Sequence, residues 1–378
     1  MSSASSQTVT DVRWSDAFSW WIIFRAAGRS FSPTIILLAS LGTLGTWAGL
    51  SLADRIGLAG HNPALIVIAG DSVPDAGVFG LRPSQRAMPG VAALGLKLPG
   101  FLSDGVRLVS IPFSPTATTR EMASAFARIG WVVLVWSIFG TAITRAVSLQ
   151  LAGEESPGLF GSLGFGMGFW MSSFNSVIFV LLGMFALSIP GALLGLAMRT
   201  DIGLMLVGIL WPVVLAGSLV LSILAIGVIV GWPLMVATVA VERGDSFQAI
   251  SSSFSYLNQR PLHLFFYGTV ALVVALPALV AVALFGDVTT SLAMWAASWG
   301  MGHDRTVEIL TNLESTKGSL GMDLLLFWRQ CIDGILQSFG VGYFWAVVTA
   351  FYLLLRRDVD GTELDEVVLE EASSATSA

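Results

Sequence analysis

Residues 231–267 read GWPLMVATVAVERGDSFQAISSSFSYLNQRPLHLFFY, a stretch in which one apolar run ends and another begins. The four residues ERGD, at 242–245, interrupt the first run. The pair Arg260-Pro261 is a second interruption, because a residue before proline is disfavoured in the α region. The pattern therefore predicts an apolar segment, a short polar helix and a second apolar segment.

The short helix is predicted over residues 246–258. Asp245 precedes it and suits an N-cap, because its carboxylate can accept hydrogen bonds from the first free backbone N–H groups. Apolar side chains then recur at helical spacing, at Phe247, Ile250, Phe254 and Leu257. Such a helix beside a membrane span is predicted to lie flat on the membrane surface. We call this unit an elbow: a cap, an amphipathic helix, a proline or polar break, and then a span.

The composition is typical of an all-α integral membrane protein. Hydrophobic residues make up 54% of the 378 residues and charged residues only 12%, which lies outside the range of soluble globular proteins. Seven acids between Asp358 and Glu371 account for more than the whole net charge of −6. An acidic tail on a nearly neutral body argues against nucleic-acid binding. The single cysteine, Cys331, excludes an intramolecular disulfide, and the N-terminal sequence lacks the pattern of a cleavable signal peptide.

Six apolar segments are long enough to cross a hydrocarbon core, which needs about 20 helical residues. We predict spans at about residues 34–53, 129–147, 174–196, 205–230, 262–285 and 332–355. The fourth lies in an apolar run, 202–241, that could hold one span or two. Because no charge or turn signal divides this run, we favour one tilted span of about 26 residues and then a break at Trp232-Pro233.

Elbows are predicted before the first, third and fifth spans, so the chain forms three hairpins, each with a surface helix in front of it. The first elbow is residues 16–30 and the third is the helix at 246–258. Aromatic and basic side chains favour the interface between lipid and water. Five residues are the predicted interfacial anchors: Trp20, Trp21, Trp232, Arg260 and Pro261.

The second elbow is predicted over residues 157–173, which are rich in glycine and aromatic residues. Gly164 and Gly168 fit either close helix packing or a flexible interfacial segment. Arg128 and Arg145 flank the second span and are predicted to extend to the membrane surface.

Three regions result from these assignments: residues 1–30 as a cytoplasmic N-terminus with a surface helix, 31–355 as the membrane domain with external loops at 54–122 and 287–330, and 356–378 as an acidic cytoplasmic tail. Placing the N-terminus in the cytoplasm puts most arginines of the short connections on that side, as the positive-inside rule requires. Six spans then return the C-terminus to the same side.

Three motifs carry a resemblance to a known family: TAITRAVSLQLAGEE at 141–155, the stretch at 231–267, and FWAVVTAFYLLLRRDVDGTELDEV at 344–367. Together they resemble the recurring motifs of an uncharacterised family of bacterial, planctomycete-type membrane proteins. The resemblance runs from about residue 126 to the C-terminus. It implies six spans, the acidic tail and a place in the bacterial inner membrane, but no activity. The second elbow of this chain is less basic than the family pattern.

The block LIVIAGDSVPDAG, at 65–77, resembles the nucleophile block of GDS-type lipases and esterases, in which a serine follows Gly-Asp. Such enzymes also need a downstream Asp-x-x-His pair, so that the imidazole can accept the proton of the serine. None of the three histidines of this chain stands three residues after an aspartate. Ser72 is therefore not assigned a catalytic role, and the sequence indicates a non-enzymatic protein with no cofactor or metal site.

The polar residues least expected at membrane depth are Asn175 in the third span and Asp333 and Gln337 in the sixth. An ionisable group inside a membrane is a candidate for function. The structural alternative is that Asp333 lies at the headgroup boundary and pairs with Arg329 or Arg128. Three functions stay open: a scaffold or accessory factor in membrane organisation, a transporter of a small solute or lipid, and an outward-facing hydrolase built on residues 54–122. The expected partners are the lipid bilayer and other membrane proteins or a second copy of the chain.

Overall fold

The computed structural model describes residues 18–56, 118–312 and 320–367. Secondary structure in these three ranges is entirely helical. After a short 3-10 turn at Ser19–Trp21, we number the helices α1 (Ile22–Arg29), α2 (Pro33–Arg55), α3 (Thr119–Ala152), α4 (Gly158–Ala197), α5 (Asp201–Glu242), α6 (Ser246–Gln259), α7 (Pro261–Met301), α8 (His303–Asn312) and α9 (Leu320–Asp360).

Six of the described helices, α2, α3, α4, α5, α7 and α9, are long and apolar enough to cross a membrane. The chain is therefore a multi-pass membrane protein. Consecutive spans pack together, α2 on α3, α4 on α5 and α7 on α9, but α3 and α4 also pack extensively on each other. Each predicted span thus lies within one of these six helices, and the six helices pack together in one bundle.

The boundaries around α6 agree with the sequence prediction. The Asp245 carboxylate accepts a hydrogen bond from the Gln248 backbone N–H at 2.8 Å. Arg260 then leaves the helical conformation, and Pro261 occupies the first turn of α7. Arg243 has a positive φ of 55° at the end of α5, which lets the chain turn from α5 into α6 within three residues.

Several helices run beyond the predicted spans, and three boundaries were wrong. The second elbow is the first half of the continuous helix α4. The break at Trp232-Pro233 does not occur, because α5 continues through Pro233 to Glu242. The predicted loop 287–330 is also mostly helical, since α7 extends to Met301 and α9 begins at Leu320. Hydropathy marks where a helix enters polar surroundings, and a helix does not have to end there.

The helices pack densely at one end of the bundle and loosely at the other. We define the packed end as α1 together with the buried parts of α2 (35–42), α3 (133–151), α5 (231–241) and α9 (338–356). In α3 and α9, 78% and 83% of the most apolar window is buried, compared with 22% or less in the other four spans. The helices α3 and α9 therefore form the centre of the bundle.

Small residues permit the close packing at this end. A Cβ atom on Gly166 would lie 2.3 Å from the backbone oxygen of Ile138, so α4 approaches the backbone of α3 directly. Hydroxyl pairs also join helices, with Thr141 and Ser173 at 2.8 Å. Gly164 is exposed, and a Cβ at Gly164 or Gly168 would contact nothing within 4 Å. The glycine used for packing is therefore Gly166 rather than its two neighbours.

The half of the α4–α5 hairpin far from the packed end, residues 182–230, is apolar and mostly exposed. A 42-residue helix such as α5 is about 63 Å long at 1.5 Å per residue. That is about twice the thickness of a hydrocarbon core. Residues 231–241 are covered by other helices, so only residues 202–230 of α5 need lipid around them.

Candidate functional site

A largely buried ion pair lies where α5 and α9 end at the packed end. Glu242 is the last residue of α5, and its carboxylate Oε1 lies 3.0 Å from Nε of Arg356. The side chains are 15% and 9% exposed, respectively. The Tyr352 hydroxyl donates to the same carboxylate oxygen at 2.5 Å. Tyr352 and Arg356 are four residues apart on α9, which places both side chains on one face of that helix.

Two further hydrogen bonds connect the ion pair to α6 and to the segment after α9. The Gln248 side-chain amide of α6 donates to Oε2 of Glu242 at 2.6 Å. Nη1 of Arg356 donates to the backbone oxygen of Glu366 at 2.6 Å, which holds the segment after α9 against the bundle. We call Glu242, Gln248, Tyr352 and Arg356 the central network. It joins α5, α6, α9 and the start of the acidic tail.

Two tyrosines fix the end of α9 from other helices. The Tyr267 hydroxyl of α7 donates to the Asp358 carboxylate at 2.8 Å, and the Tyr256 hydroxyl of α6 donates to the Asp360 carboxylate. Burial, and then the hydrogen bond to Asp360, raises the pKa of the Tyr256 hydroxyl. Tyr256 therefore keeps its proton and acts as a donor at physiological pH.

A second buried cation lies beside the central network. Arg145 of α3 is only 4% exposed, donates to the backbone oxygen of Ala240 at 3.2 Å, and lies 4.8 Å from the ring centre of Phe165. The prediction that Arg145 extends to the membrane surface was therefore wrong. Phe165 stacks on Phe169, and Arg243 lies within 5.6 Å of both ring centres. Phe165 and Phe169, which belong to the predicted second elbow, therefore contact arginine side chains of the protein.

The arrangement favours a structural role for these polar groups. The Glu242 carboxylate of the network already accepts hydrogen bonds from Gln248 and Tyr352, and the Asp358 carboxylate outside the network accepts one from Tyr267. Within the described ranges, no three His, Cys, Asp or Glu side chains are grouped so that they could hold a metal ion. The Ser72 block lies outside the described residues.

The three predicted intramembrane polar residues lie on two helices. Asn175 lies on α4, whereas Asp333 and Gln337 lie on α9 before its buried part begins at Ser338. Asn175 and Asp333 are partly buried and Gln337 is exposed. One expected ion-pair partner of Asp333 is engaged elsewhere, because Arg128 pairs with Asp54. Their role in function stays a prediction.

The five predicted anchors lie at or near the packed end and differ in their contacts. Trp21 is 38% exposed, and Pro261 begins α7. Trp20 packs edge-on against Phe266, with ring centres 6.3 Å apart. Trp232 packs edge-on against Trp345 at 6.0 Å, so its neighbours are protein side chains. Arg260 is exposed and donates to the backbone oxygen of Asp358 at 3.3 Å.

Sequence reasoning missed the central network. It treated Glu242 as the end of an apolar run and Arg356 as a surface cation. Two features of the sequence could have indicated it. Tyr352 and Arg356 are four residues apart, so they share a helix face, and Glu242 is an acid at the end of another span. A spacing of this kind indicates a shared face, but it does not identify the partner helix.

Comparisons with protein-family models, with curated proteins and with solved structures found no match for this chain. The function must therefore be argued from the geometry. The resemblance to a planctomycete-type membrane family stays a prediction.

Proposed function

We propose that this protein is a non-enzymatic scaffold or accessory factor in membrane organisation, placed in the bacterial inner membrane with both termini in the cytoplasm. The observation that carries the proposal is the central network. Its ionised groups join α5, α6, α9 and the segment after α9, and none of them is left for a reaction. A group of helices joined in this way holds the segments attached to it at fixed positions.

The distribution of arginines supports the proposed orientation. Arg25, Arg29, Arg243, Arg260 and Arg357 lie in or beside the helix ends of the packed end. At the opposite end, Arg199 lies on the short connection between α4 and α5, and the other arginines that the structure describes there lie in or beside the two long connections: Arg55, Arg120, Arg128, Arg305 and Arg329. The positive-inside rule places the more basic side in the cytoplasm. The packed end is then the cytoplasmic end, and the acidic tail begins there.

The acidic tail is the proposed working surface. The hydrogen bond from Arg356 to the backbone oxygen of Glu366 holds the start of the tail against the bundle, and the sequence after it carries two further acids, Glu370 and Glu371. A surface of this charge suits basic segments of other membrane proteins. On this proposal the partner contacts the tail, and the spans hold the tail at the membrane.

Co-purification tests the proposal. The full chain and a variant lacking residues 368–378 are isolated in mild detergent from cells that make the protein at its natural level, and bound proteins are quantified by mass spectrometry. The proposal predicts a partner in near-stoichiometric amount with the full chain, and its loss with the shortened one. The scaffold proposal fails if no protein co-purifies and reconstituted vesicles also keep their shape.

The alternative function is transport of a small solute or lipid. One observation favours it: Asp333 is a partly buried acid on a membrane-spanning helix, and no hydrogen bond or ion pair involves it in the described ranges. A coupled proton pathway would use such a group. Vesicles carrying the protein and a pH-sensitive dye test this. Proton flux that Asp333→Asn abolishes would favour transport, and no flux above that of empty vesicles favours the scaffold.

A further inference from the structure

A cleft of about 450 Å³ opens at the packed end, between the 3-10 turn at Ser19–Trp21 and the first turns of α7. The end of α9 contributes its acidic wall. The lining includes Trp20, His263, Phe266, Tyr267 and Asp358. None of them belongs to the central network, so the cleft is a separate feature of the packed end.

Aromatic rings and one carboxylate line the cleft. Trp20 and Phe266 meet edge-on with ring centres 6.3 Å apart, and His263 and Tyr267 lie 6.1 Å apart. The Asp358 carboxylate accepts one hydrogen bond, from Tyr267 at 2.8 Å. A carboxylate can accept about four, so Asp358 can accept more. Aromatic faces and a carboxylate together attract an ammonium group.

The rim of the cleft carries the opposite charge. Arg260 is exposed and donates to the backbone oxygen of Asp358 at 3.3 Å. Arg357 is exposed and precedes Asp358 in the chain. A ligand with only a positive charge would meet these two guanidinium groups as it entered. A ligand that carries a phosphate next to its ammonium group fits both charges.

Apolar side chains next to the cleft indicate its position in the membrane. Leu262 is 81% exposed and Phe265 is 77% exposed, both in the first two turns of α7. Side chains of this kind suit the region just below lipid headgroups. The cleft therefore opens at headgroup level, with acyl chains able to continue along α7.

We propose that this cleft binds the headgroup of an ethanolamine phospholipid. Its primary ammonium group donates to Asp358 between the rings of Trp20 and Tyr267, and its phosphate lies near Arg260. A primary ammonium fits better than a choline group, because choline has no N–H to donate to the carboxylate. This assignment is independent of the scaffold proposal, since it needs neither the tail residues after Asp358 nor a protein partner.

Native mass spectrometry of lipid retention tests the assignment. The full chain is placed in nanodiscs with equal amounts of ethanolamine and glycerol phospholipids, and retained lipids are counted after release into detergent. Wild type is expected to retain ethanolamine phospholipid about tenfold over the glycerol lipid, the ratio that about 1.4 kcal/mol produces. Asp358→Asn and Trp20→Leu are each expected to bring the ratio close to one.

Matched controls distinguish loss of lipid binding in the cleft from loss of the folded structure. Asp365→Asn removes another acid of the tail, and Trp21→Leu removes the neighbouring tryptophan, which does not line the cleft. Both controls are expected to keep the preference. Thermal unfolding of every variant identifies loss of fold, and Trp20→Leu decides the question if Asp358→Asn does not fold, because it leaves the contact between Tyr267 and Asp358 in place.

Two results would overturn the assignment. The first is equal retention of the two lipids by wild type. The second is competition by excess free ethanolamine, which would assign the cleft to a soluble amine. Unchanged retention in free ethanolamine supports the lipid headgroup, because the soluble molecule lacks the phosphate and the acyl chains.

Discussion

The two parts of α5 are similarly apolar and have opposite surroundings. Residues 231–241 lie almost wholly within the bundle, with Met235, Val239 and Val241 fully buried. Residues 202–230 are mostly exposed, with Val213 at 67% and Met205 at 64%. Hydropathy alone does not distinguish these parts, because lipid and protein interior are both apolar. The difference lies in what stands next to the packed part: a partly buried acid, two buried arginines and several tyrosines.

This comparison indicates where the stability of the bundle originates. In a membrane, apolar burial between helices gives little advantage over burial in lipid, and packing with hydrogen bonds decides association. The packed end has both close packing and hydrogen bonds between helices. We therefore expect substitutions at the packed end to destabilise the protein, and matched substitutions in the exposed part to have little effect.

The largest effect is expected from Arg356→Met. The change leaves the partly buried Glu242 carboxylate without its cation, and removing one member of a buried pair costs up to about 3–5 kcal/mol. The measurement is thermal unfolding in detergent. Arg305→Met is the matched control, because Arg305 and Glu308 form an exposed pair worth at most about 1 kcal/mol. Equal shifts in melting temperature for the two variants would contradict the structural role of the central network.

Paired methionine substitutions on α5 test the comparison itself. Met235 is 0% exposed, so Met235→Ala leaves a cavity and is expected to cost about 2–5 kcal/mol. Met205 is 64% exposed, and Met205→Ala is expected to change stability by less than about 0.5 kcal/mol. Chemical unfolding of both variants gives the two free energies. Similar values would show that the two parts of α5 do not differ as described.

A glycine pair on α4 tests how closely α3 and α4 approach. Gly166→Ala would place a methyl group 2.3 Å from the Ile138 backbone oxygen, so the helices must separate. Overpacking of this kind costs about 1–3 kcal/mol. Gly164→Ala has open space and a better helix former, and should be neutral or slightly stabilising. The melting temperatures of the two variants are compared, and an unaffected Gly166→Ala would refute the close approach.

The smallest effect concerns the cap of α6. Asp245→Ala removes the acceptor for the Gln248 backbone N–H and is expected to cost about 0.5–2 kcal/mol. Asp245→Asn keeps a capping oxygen and should stay within a few tenths of wild type. Hydrogen exchange of the first turn of α6 reports the change locally. Equal exchange in the two variants would mean that the cap does not stabilise this helix.

The sequence alone predicted the membrane class, the six spans and the boundaries of α6, because each depends on local rules. Length and hydropathy identify spans, Asp245 identifies a helix start, and Pro261 identifies a helix end. None of these rules requires knowledge of another helix.

The partners of buried charges could not be predicted in this way. Arg145 at the end of a span has the same sequence signature whether it reaches water or stacks on Phe165. Glu242 and Arg356 are more than 100 residues apart and meet only after α5 and α9 have packed. The cleft likewise combines the 3-10 turn before α1 with α7 and α9, which no local pattern connects.

The central claim is that other helices surround residues 231–241 of α5, whereas lipid surrounds residues 202–230. The most direct test is the oxygen accessibility of spin labels in lipid nanodiscs. Single cysteines are introduced into a Cys331→Ser background at positions 205, 213, 219, 235 and 239. High accessibility is predicted at the first three positions, and low accessibility at 235 and 239. Uniform accessibility along α5 would contradict the account.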